Sequence, residues 1–328
     1  MPDAICLGEA LIDLVALESG VTLAGASGFA KAPGGAPANV AVGLAGLGVE
    51  TAFIGKVGDD PFGHFMADTL RAHGVEVSRL RFSREARTAL AFVALTAAGE
   101  RDFVFYGQPS ADMLLEPGEI EEDFVASARA FHYGSITTLR EPARSATHRA
   151  ARVARDAGLL VSYDPNLRAD LWDRLDRAKQ EIIAGLDYAA VVKVSEEELE
   201  FITGAGDLSA GARRLLEYPG VRLVAVTRGA AGCFFSTGEC QGSLAGLRVP
   251  VVDTTGAGDG FVAALIAGLL EAGAPGALGE LGAEDLERIF AYANAVGALT
   301  CTKKGAIPAL PNRAEADAFV ASQQGGGA

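Results

Sequence analysis

The sequence DTTGAGDGFVAALIAGLL occupies residues 253–270 and places a run of small residues directly before an apolar segment. This pattern predicts the start of a helix, where the first backbone N–H groups have no partner within the helix. Small side chains let an anion approach those groups, and the helix dipole stabilises negative charge there. Gly256, Ala257 and Gly258 are therefore candidates for an anion hole that holds a transferred phosphoryl group.

Asp259 lies in the first turn of the same predicted helix and could accept the proton of an attacking hydroxyl group. Phosphoryl transfer depends mostly on alignment and charge stabilisation, so one base beside an anion hole suits it. The residues alone leave an alternative open, in which Asp259 is only a favourable first-turn acid and the glycines only form a tight turn. The segment is neither a Walker A loop, which needs a lysine, nor a dinucleotide fingerprint, because Phe261 replaces the last glycine.

A second glycine-rich cluster, PGGAPAN at residues 33–39, also precedes a predicted helix. Gly34 and Gly35 permit close approach of the backbone, and Asn39 could offer its amide to a neutral hydroxylated ligand. A capped helix that packs closely on a sheet is an equal alternative. Asp13 follows the first predicted strand, where an acceptor suits sugar hydroxyl groups, although an exposed loop acid is the commoner case.

Apolar runs and helical patterns alternate along the rest of the chain. The predicted strands are Ala4–Leu7, Thr51–Val57, Leu159–Tyr163, Ala189–Val194 and Val221–Val226, and predicted helices include Pro142–Ala157 and Leu175–Leu186. This order predicts an α/β fold with a mainly parallel sheet that is covered on both faces. At 328 residues, one large domain is expected. Residues 89–95 and 102–106 predict a hairpin outside the main sheet, joined by a turn at 96–100.

The overall charge and the cysteine pattern exclude several classes of protein. A net charge of −14 would repel a nucleic-acid backbone, so no nucleic-acid partner is expected. The four cysteines show no metal-binding or redox spacing, which indicates free thiols in a reduced compartment. The longest apolar run, Phe261–Leu270, is too short to span a bilayer, and we expect a cytoplasmic protein with no membrane contact.

Both glycine-rich segments resemble signatures of the ribokinase (pfkB-type) carbohydrate kinase family. Gly34–Asn39 with Gly48 and Gly58 is similar to the first signature, and Asp253–Ile266 is similar to the second. The resemblance covers nearly the whole chain and is closest to the fructokinases. It includes the segments at 8–13, 31–35, 53–60, 87–93 and 109–115.

The resemblance implies a three-layer kinase domain over residues 1–328 and a small β lid contributed by about 12–33 and 86–108. Asp259 would be the base beside the anion hole, and Asp13, Gly34, Gly35 and Asn39 would hold sugar hydroxyl groups. Strand alternation places Phe103 and Phe105 on one face of the lid. That face would cover the sugar, or it would serve to stabilise the lid or pair it with a second subunit.

The nucleotide-side residues also come from the resemblance. It implies a phosphate contact at Asn166, a magnesium-linked water network at Ser195 and Glu198, phosphate contacts at Thr227 and Gly229, a nucleoside contact at Gly232 and an adenine contact at Asn294. Ser195 departs from the usual asparagine, and an acidic helix start is the alternative at this position. Arg168 would reach substrate or phosphate, or instead pair with Asp170. Asp253 and Thr255, with residues 301–305, resemble a potassium site.

The expected reaction is transfer of the ATP γ-phosphoryl group to the 6-hydroxyl group of D-fructose, with Mg²⁺ as cofactor and K⁺ as a further candidate. A 2-keto-3-deoxygluconate kinase or a ribokinase is the nearest alternative, because lid changes alter sugar choice without changing the phosphate machinery. A non-catalytic sugar-binding regulator is the alternative from another class. A homodimer that forms through the lids is expected from the resemblance.

Overall fold

The computed structural model describes residues 1–95, 101–107 and 109–325. The strands are β1 Ala4–Leu7, β2 Leu11–Ala16, β3 Phe29–Gly34, β4 Thr51–Gly58, β5 Glu76–Ser83, β6 Leu90–Leu95, β7 Arg101–Tyr106, β8 Ala130–Tyr133, β9 Leu160–Tyr163, β10 Val191–Ser195, β11 Leu223–Thr227, β12 Cys233–Ser236 and β13 Gln241–Leu244. The α-helices are α1 Ala36–Gly46, α2 Pro61–Ala72, α3 Glu122–Ala126, α4 Ala143–Asp156, α5 Leu175–Leu186, α6 Glu196–Thr203, α7 Leu208–Leu216, α8 Ala257–Glu271, α9 Ala283–Thr300 and α10 Arg313–Gly325.

Nine strands form the main sheet in the order β13-β12-β11-β10-β9-β8-β1-β4-β5. Strands β11 to β5 in that order pair in parallel, while β12 and β13 add an antiparallel edge. Parallel strands connected by helices bring their carboxyl ends to one edge of the sheet, where ligands of open α/β sheets bind. The predicted α/β fold with a mainly parallel sheet is confirmed.

The main sheet separates two hydrophobic cores because successive side chains of each strand point to opposite faces. One core lies between the sheet and helices α1, α2, α8 and α9. The other lies between the sheet and helices α4 to α7. In β10, Val191 belongs to the first core and Val192 and Val194 to the second, so Lys193 points to the same face as α8.

A second, four-stranded sheet has the order β3-β2-β6-β7. Strands β2 and β6 pair in parallel, whereas β2–β3 and β6–β7 are antiparallel. The predicted hairpin is therefore confirmed as β6 and β7, outside the main sheet; its turn at 96–100 lies outside the described residues.

The predicted strands all occur, with boundaries that move by one or two residues. The apolar patterns did not indicate β5, whose alternating polar residues are typical of an edge strand, or the short β8, β12 and β13. In the part of the chain that the structure describes, no helix is long and apolar enough to cross a membrane.

Candidate active site

The predicted helix start at residues 256–259 is the amino terminus of α8. Gly256 is the N-cap residue and has a left-handed backbone with φ of 81°, a conformation that favours glycine. A Cβ atom at Gly256 would also lie 2.9 Å from Ala306 Cα. Ala257 and Gly258 form the first turn of α8. The Ala257 N–H group donates a long hydrogen bond of 3.3 Å to the Thr254 backbone oxygen. The Gly258 N–H group belongs to the set that has no partner within a helix, as an anion hole requires.

Asp253 connects the segment before α8 to the loop after α9 through hydrogen bonds. One carboxylate oxygen accepts hydrogen bonds from Thr255 N at 2.9 Å and Thr255 Oγ1 at 2.7 Å, and the other accepts one from Gly305 N at 2.9 Å. The two segments of the expected potassium site therefore meet, and their carboxylate stabilises the turn that leads into the anion hole.

Asp259 is only 8% exposed and lies against the first turns of α1. Asn39 Nδ2 donates a hydrogen bond of 2.7 Å to Asp259 Oδ2, which joins two motifs 220 residues apart. Burial raises the pKa of Asp259 to about 6, the Asn39 hydrogen bond opposes this, and the nearby charges of Asp164, Lys193 and Arg168 contribute less. A carboxylate with this pKa is ionised at neutral pH yet basic enough to accept a proton.

Gly34 packs against the side chain of Asp13 in β2, and Gly35 packs against the backbone of Glu9 between β1 and β2. A Cβ atom at Gly34 would lie 2.3 Å from Asp13 Oδ2, and one at Gly35, where φ is 105°, would lie 2.4 Å from the Glu9 backbone oxygen. Asp13 is half-buried within β2, so it is not the exposed loop acid that the sequence left open as an alternative. The chain leaves the main sheet at Gly8 and enters the small sheet by Leu11, which carries Asp13 into a strand.

One face of the small sheet carries Asp13, Phe103 and Phe105. Asp13 pairs with Ala91, and Ala91 pairs with Phe105, so these three side chains form one cross-strand row. The rings of Phe103 and Phe105 contact each other edge to face, with 4.5 Å between centroids. An open cleft of about 370 Å³ separates residues 103–107 from Asp170 and Leu171. The two phenylalanines are therefore placed where they can cover a ligand that Asp13 binds.

The segment 164–168 follows β9 at the carboxyl edge of the main sheet. Asn166 has φ of 45°, and it is the only non-glycine residue with positive φ among those described. Its backbone N–H donates to Asp164 Oδ1 at 3.1 Å. A strained backbone conformation of this kind is often found at functional sites. Arg168 is exposed, and its charge lowers the pKa of both Asp259 and Glu9, so it lies close to both.

Glu198 connects the start of α6 to the 164–168 segment. Its carboxylate accepts hydrogen bonds from Ser195 N at 2.8 Å and Leu167 N at 2.7 Å, while Ser195 Oγ accepts one from Glu198 N at 3.1 Å. Burial is the main cause that raises the pKa of Glu198, and Lys193 opposes it. Both oxygens of Glu198 thus accept backbone hydrogen bonds, one within the capping box with Ser195 and one from Leu167.

The expected nucleotide residues lie around β11 to β13. Thr227 is the last residue of β11, and Gly229 and Gly232 have φ of 52° and 97° in the turn that follows. A Cβ atom at Gly232 would lie 2.0 Å from the Leu244 backbone oxygen, so this position requires glycine. In α9, Asn294 Nδ2 donates a hydrogen bond of 2.8 Å to the backbone oxygen of Ala245, which fastens the helix to the segment after β13.

Two charged residues of the site were not singled out from the sequence. Lys193 Nζ lies 2.9 Å from Asp164 Oδ2, and both side chains are buried. A Cβ atom at Gly258 would lie 3.4 Å from Lys193 Nζ, which places the ammonium group beside the anion hole. The available signal was a lysine inside the apolar run Ala189–Val194, because a strand that is buried on both faces rarely carries a charge.

Glu9 is a further buried acid near the start of α1, only 2% exposed. Its carboxyl group accepts a hydrogen bond of 2.9 Å from Ala36 N at the start of α1. Burial raises the pKa of Glu9 to about 8, with a smaller contribution from the buried carboxyl group of Asp112. Glu9 is therefore largely protonated at neutral pH. Glu9 lies in the segment 8–13 that carries the family resemblance, but the sequence alone did not indicate a role for it.

Comparisons with known proteins agree with this geometry. Residues 1–313 match the pfkB family carbohydrate kinase profile. The chain is 49% identical over 315 residues to Fructokinase-2 of Solanum lycopersicum, covering 95% of this chain and 94% of that protein. A crystal structure of a fructokinase with bound ATP from Xylella fastidiosa superposes with a TM-score of 0.91 at 34% identity, covering 99% of this chain and 100% of that one.

A double-mutant fructokinase of Vibrio cholerae, with fructose, ADP and a potassium ion bound, superposes with a TM-score of 0.86 at 36% identity. The alignment covers 98% of each chain. These similarities extend over the main sheet and the small sheet together. They confirm the predicted ribokinase-like three-layer fold with a small β lid.

Proposed function

The chain belongs to the pfkB family of carbohydrate kinases, and we propose that it transfers the γ-phosphoryl group of ATP to the 6-hydroxyl group of D-fructose. The products are fructose 6-phosphate and ADP. The observation that carries the proposal is the position of Asp259, a buried carboxylate held by Asn39 in the first turn of α8. The similarity to fructokinases over nearly the whole chain supports fructose as the sugar.

Asp259 takes the proton of the sugar hydroxyl group as the hydroxyl oxygen forms its bond to the γ-phosphorus atom. The bond between that phosphorus atom and the oxygen bridging to the β-phosphate breaks, and its electron pair leaves with ADP. Negative charge on the transferred group is stabilised by the first N–H groups of α8, at Ala257 and Gly258. At neutral pH most Asp259 carboxyl groups are ionised, since their pKa is about 6.

The sugar is held on the other side of Asp259 by Asp13, Gly34, Gly35 and Asn39. Asn39 Oδ1 is buried and has no hydrogen-bond partner among the described residues. A buried amide oxygen without a partner is costly, so a hydroxyl donor from the ligand suits it. The side chain of Arg168 supplies a forked donor on the same side.

Residues 1–328 form a single kinase domain in this proposal, and the segments at about 12–33 and 86–108 act as its lid; residues 96–100 and 108 lie outside the described part. The lid closes over the sugar with Phe103 and Phe105 facing it. The opposite face of the lid exposes Val104 by 39% and Tyr106 by 59%. Exposed apolar side chains on a sheet favour pairing with a second subunit, so the protein acts as a homodimer.

ATP lies along the carboxyl edge of the main sheet. Asn166 and Thr227 contact its phosphates together with Gly229, whereas Gly232 and Asn294 lie beside the nucleoside. Mg²⁺ neutralises the phosphate charge when it is bound. No group of three or more His, Cys, Asp or Glu side chains in the described part of the chain forms a metal site. Mg²⁺ would be held mainly by phosphate oxygens and water, as is usual for this ion.

Ser195 and Glu198 would order the water around Mg²⁺, and backbone hydrogen bonds to both Glu198 oxygens hold this carboxylate in place. K⁺ binds beside Asp253 and Thr255, where the segment before α8 meets Gly305. A bound cation there would stabilise the turn that shapes the anion hole. The four free cysteines support a cytoplasmic location, since reduced thiols are typical of that compartment.

The test is an ADP-release assay with fructose, ribose, 2-keto-3-deoxygluconate, mannose and nucleosides at matched concentrations. We expect fructose to give the highest kcat/KM. A higher kcat/KM with another sugar would overturn the substrate, and fructose binding without ADP release would overturn the catalytic function. Identification of the phosphorylated carbon by NMR checks the 6-position.

A further inference from the structure

A buried pair of hydrogen-bonded side chains joins the hairpin β6–β7 to the start of α2. Asp60 is the N-cap residue of α2 and is 7% exposed, and Thr88 lies two residues before β6 and is 3% exposed. We propose that Asp60 and Thr88 are positioning residues that hold the hairpin where Phe103 and Phe105 can cover the sugar. The inference rests on the proposed sugar phosphorylation and concerns how the same site holds its sugar.

The carboxylate of Asp60 contacts two separate parts of the chain. Its Oδ1 atom accepts hydrogen bonds of 2.9 Å from Phe62 N and Gly63 N, which cap α2. Thr88 Oγ1 donates a further bond of 2.9 Å to Oδ1, and Thr88 N donates one of 2.9 Å to Oδ2. The Thr88 hydroxyl group also accepts a bond of 3.0 Å from Gly58 N at the end of β4. Thr88 is thus held through both its backbone and its side chain.

The hydrogen bonds keep Asp60 ionised. Burial alone would raise its pKa, but the bonds from Thr88, Gly63 and Phe62 outweigh burial and lower it. Hydrogen bonds to an ionised carboxylate are roughly twice as strong as those between neutral groups. The contact between Asp60 and Thr88 therefore persists at every pH at which Asp259, with its pKa of about 6, is an effective base.

Capping of α2 does not account for this arrangement. A cap needs one oxygen atom, and serine, threonine or asparagine supplies it equally well. The Oδ2 atom of Asp60 instead bonds Thr88, 28 residues along the chain. The surrounding backbone is also close, because a Cβ atom at Gly58 would lie 2.2 Å from Asp60 Oδ2 and one at Gly63 would lie 2.0 Å from the Gly58 backbone oxygen. Two glycines thus allow the contact to form.

Thr88 adjoins the strand that lies beside the sugar-side residues. One residue later, the backbone oxygen of Ala89 accepts a hydrogen bond of 3.0 Å from β2. Ala91 follows at about 10 Å along an extended chain and pairs with Asp13. Ala89 and Ala91 are buried in one small cluster with the two phenylalanines of β7. A shift at Thr88 would therefore move the groups that face the sugar.

The hairpin is also closed at its base. Ala111 N, after β7, donates a hydrogen bond of 2.9 Å to the backbone oxygen of Arg87, before β6. The two ends of the hairpin are therefore joined next to Thr88, so that β6 and β7 move together. A displacement of about 1 Å in a substrate-positioning group can lower a rate by about a hundredfold.

The experiment compares Thr88→Val, which removes the hydroxyl group at nearly constant volume, with Thr88→Ser, which keeps it. Thr51→Val is the matched control, because Thr51 is also 3% exposed and its hydroxyl group donates a bond of 2.9 Å to Val49 O at the opposite end of β4. Asp60→Ser retains a cap for α2 but is too short to reach Thr88. The ADP-release assay measures the KM for fructose and for ATP, and thermal unfolding measures stability.

In Thr88→Val and Asp60→Ser, we expect the KM for fructose to rise by about tenfold or more while the KM for ATP changes by less than about threefold. Thr88→Ser should keep both KM values within about threefold of the wild type, and Thr51→Val should change neither. A loss of stability in Thr88→Val with an unchanged KM for fructose would overturn the proposal, since the pair would then serve the fold alone. An equal rise in both KM values would also overturn it.

Hydrogen exchange measured by mass spectrometry tests the same contact without turnover. The backbone amides of β6 and β7 should exchange about tenfold faster in Thr88→Val than in the wild type, while those of α8 exchange equally. Unchanged exchange in the hairpin would contradict the proposal, as would the failure of both Thr88→Val and Asp60→Ser to fold. A wild-type protein that releases no ADP with any sugar would refute the proposed function, whereas the exchange rates would still decide the role of the pair.

Discussion

Replacing Asp259 by asparagine should make the protein more stable and nearly inactive. The carboxyl group has an ordinary pKa of 3.8 in an unfolded chain, and burial raises it to about 6 in the folded protein. Each pH unit of such a difference corresponds to about 1.4 kcal/mol, so the ionised carboxylate costs the fold about 3 kcal/mol at neutral pH. An amide of the same shape avoids this cost, and its oxygen can still accept the Asn39 hydrogen bond.

The direction in which stability changes with pH follows from proton binding to Asp259. Since the folded state binds the Asp259 proton more tightly than the unfolded state, stability decreases as the pH rises from about 3.8 to about 6 and then stays level. The stability difference between Asp259→Asn and the wild type should therefore be close to zero near pH 4 and reach its full size above pH 7.

Urea unfolding of both proteins at pH 4.5, 5.5, 6.5 and 7.5 measures this difference, and the ADP-release assay measures turnover of the same preparations. We expect kcat to fall by at least about a hundredfold in Asp259→Asn, because the general base is lost. A variant that is no more stable than the wild type at pH 7.5 would refute the reasoning about burial. A stability difference between the two proteins that does not change with pH would also refute it. Retained turnover would refute the base assignment.

Three further predictions concern the same site. The kcat of the wild type should fall about tenfold per pH unit below pH 6 as Asp259 becomes protonated, and a rate profile that stays flat to pH 5 would contradict this. Asn39→Ala removes the hydrogen bond that lowers the pKa of Asp259, so the acid limb of the same profile should move to higher pH; an unmoved limb would count against the contact. Gly34→Ala places a Cβ atom 2.3 Å from Asp13 Oδ2. This variant should raise the KM for the sugar by about tenfold or more and leave the KM for ATP little changed. Steady-state kinetics with each substrate varied measures the two KM values, and an equal rise in both would contradict a local effect on the sugar.

The sequence predicted both helix starts, because in each case small residues directly precede an apolar segment. It did not predict that Asn39 and Asp259 contact each other, since their separation of 220 residues is bridged only by the packing of α1 against α8. Lys193 was missed for a related reason. Within the run Ala189–Val194 a single polar residue is compatible with many strands, and only the structure shows that Lys193 pairs with Asp164 beside α8.

The backbone conformation at individual residues was a second feature that could not be predicted from the sequence. The residues around Asp13 left a loop position open as an alternative, because the chain passes from one sheet to another within three residues and no local pattern indicates such a change. The positive φ of Asn166 depends on the way Asp164 and Glu198 hold the backbone on either side of it. Interactions of this kind are set by tertiary packing and not by the residue types of the segment itself.

The hydrogen bonds of three neighbouring acids also support the proposal that Asp259 is the one that accepts the proton. Asp164 uses one oxygen for Asn166 N and the other for Lys193 Nζ. Glu198 uses both oxygens for backbone N–H groups. Among the contacts of the described residues, Asp259 alone keeps an oxygen without a hydrogen bond, because Asn39 occupies only Oδ2. Two of the acids are therefore committed to holding the lysine and the backbone in place, and the third is left free to act as the base.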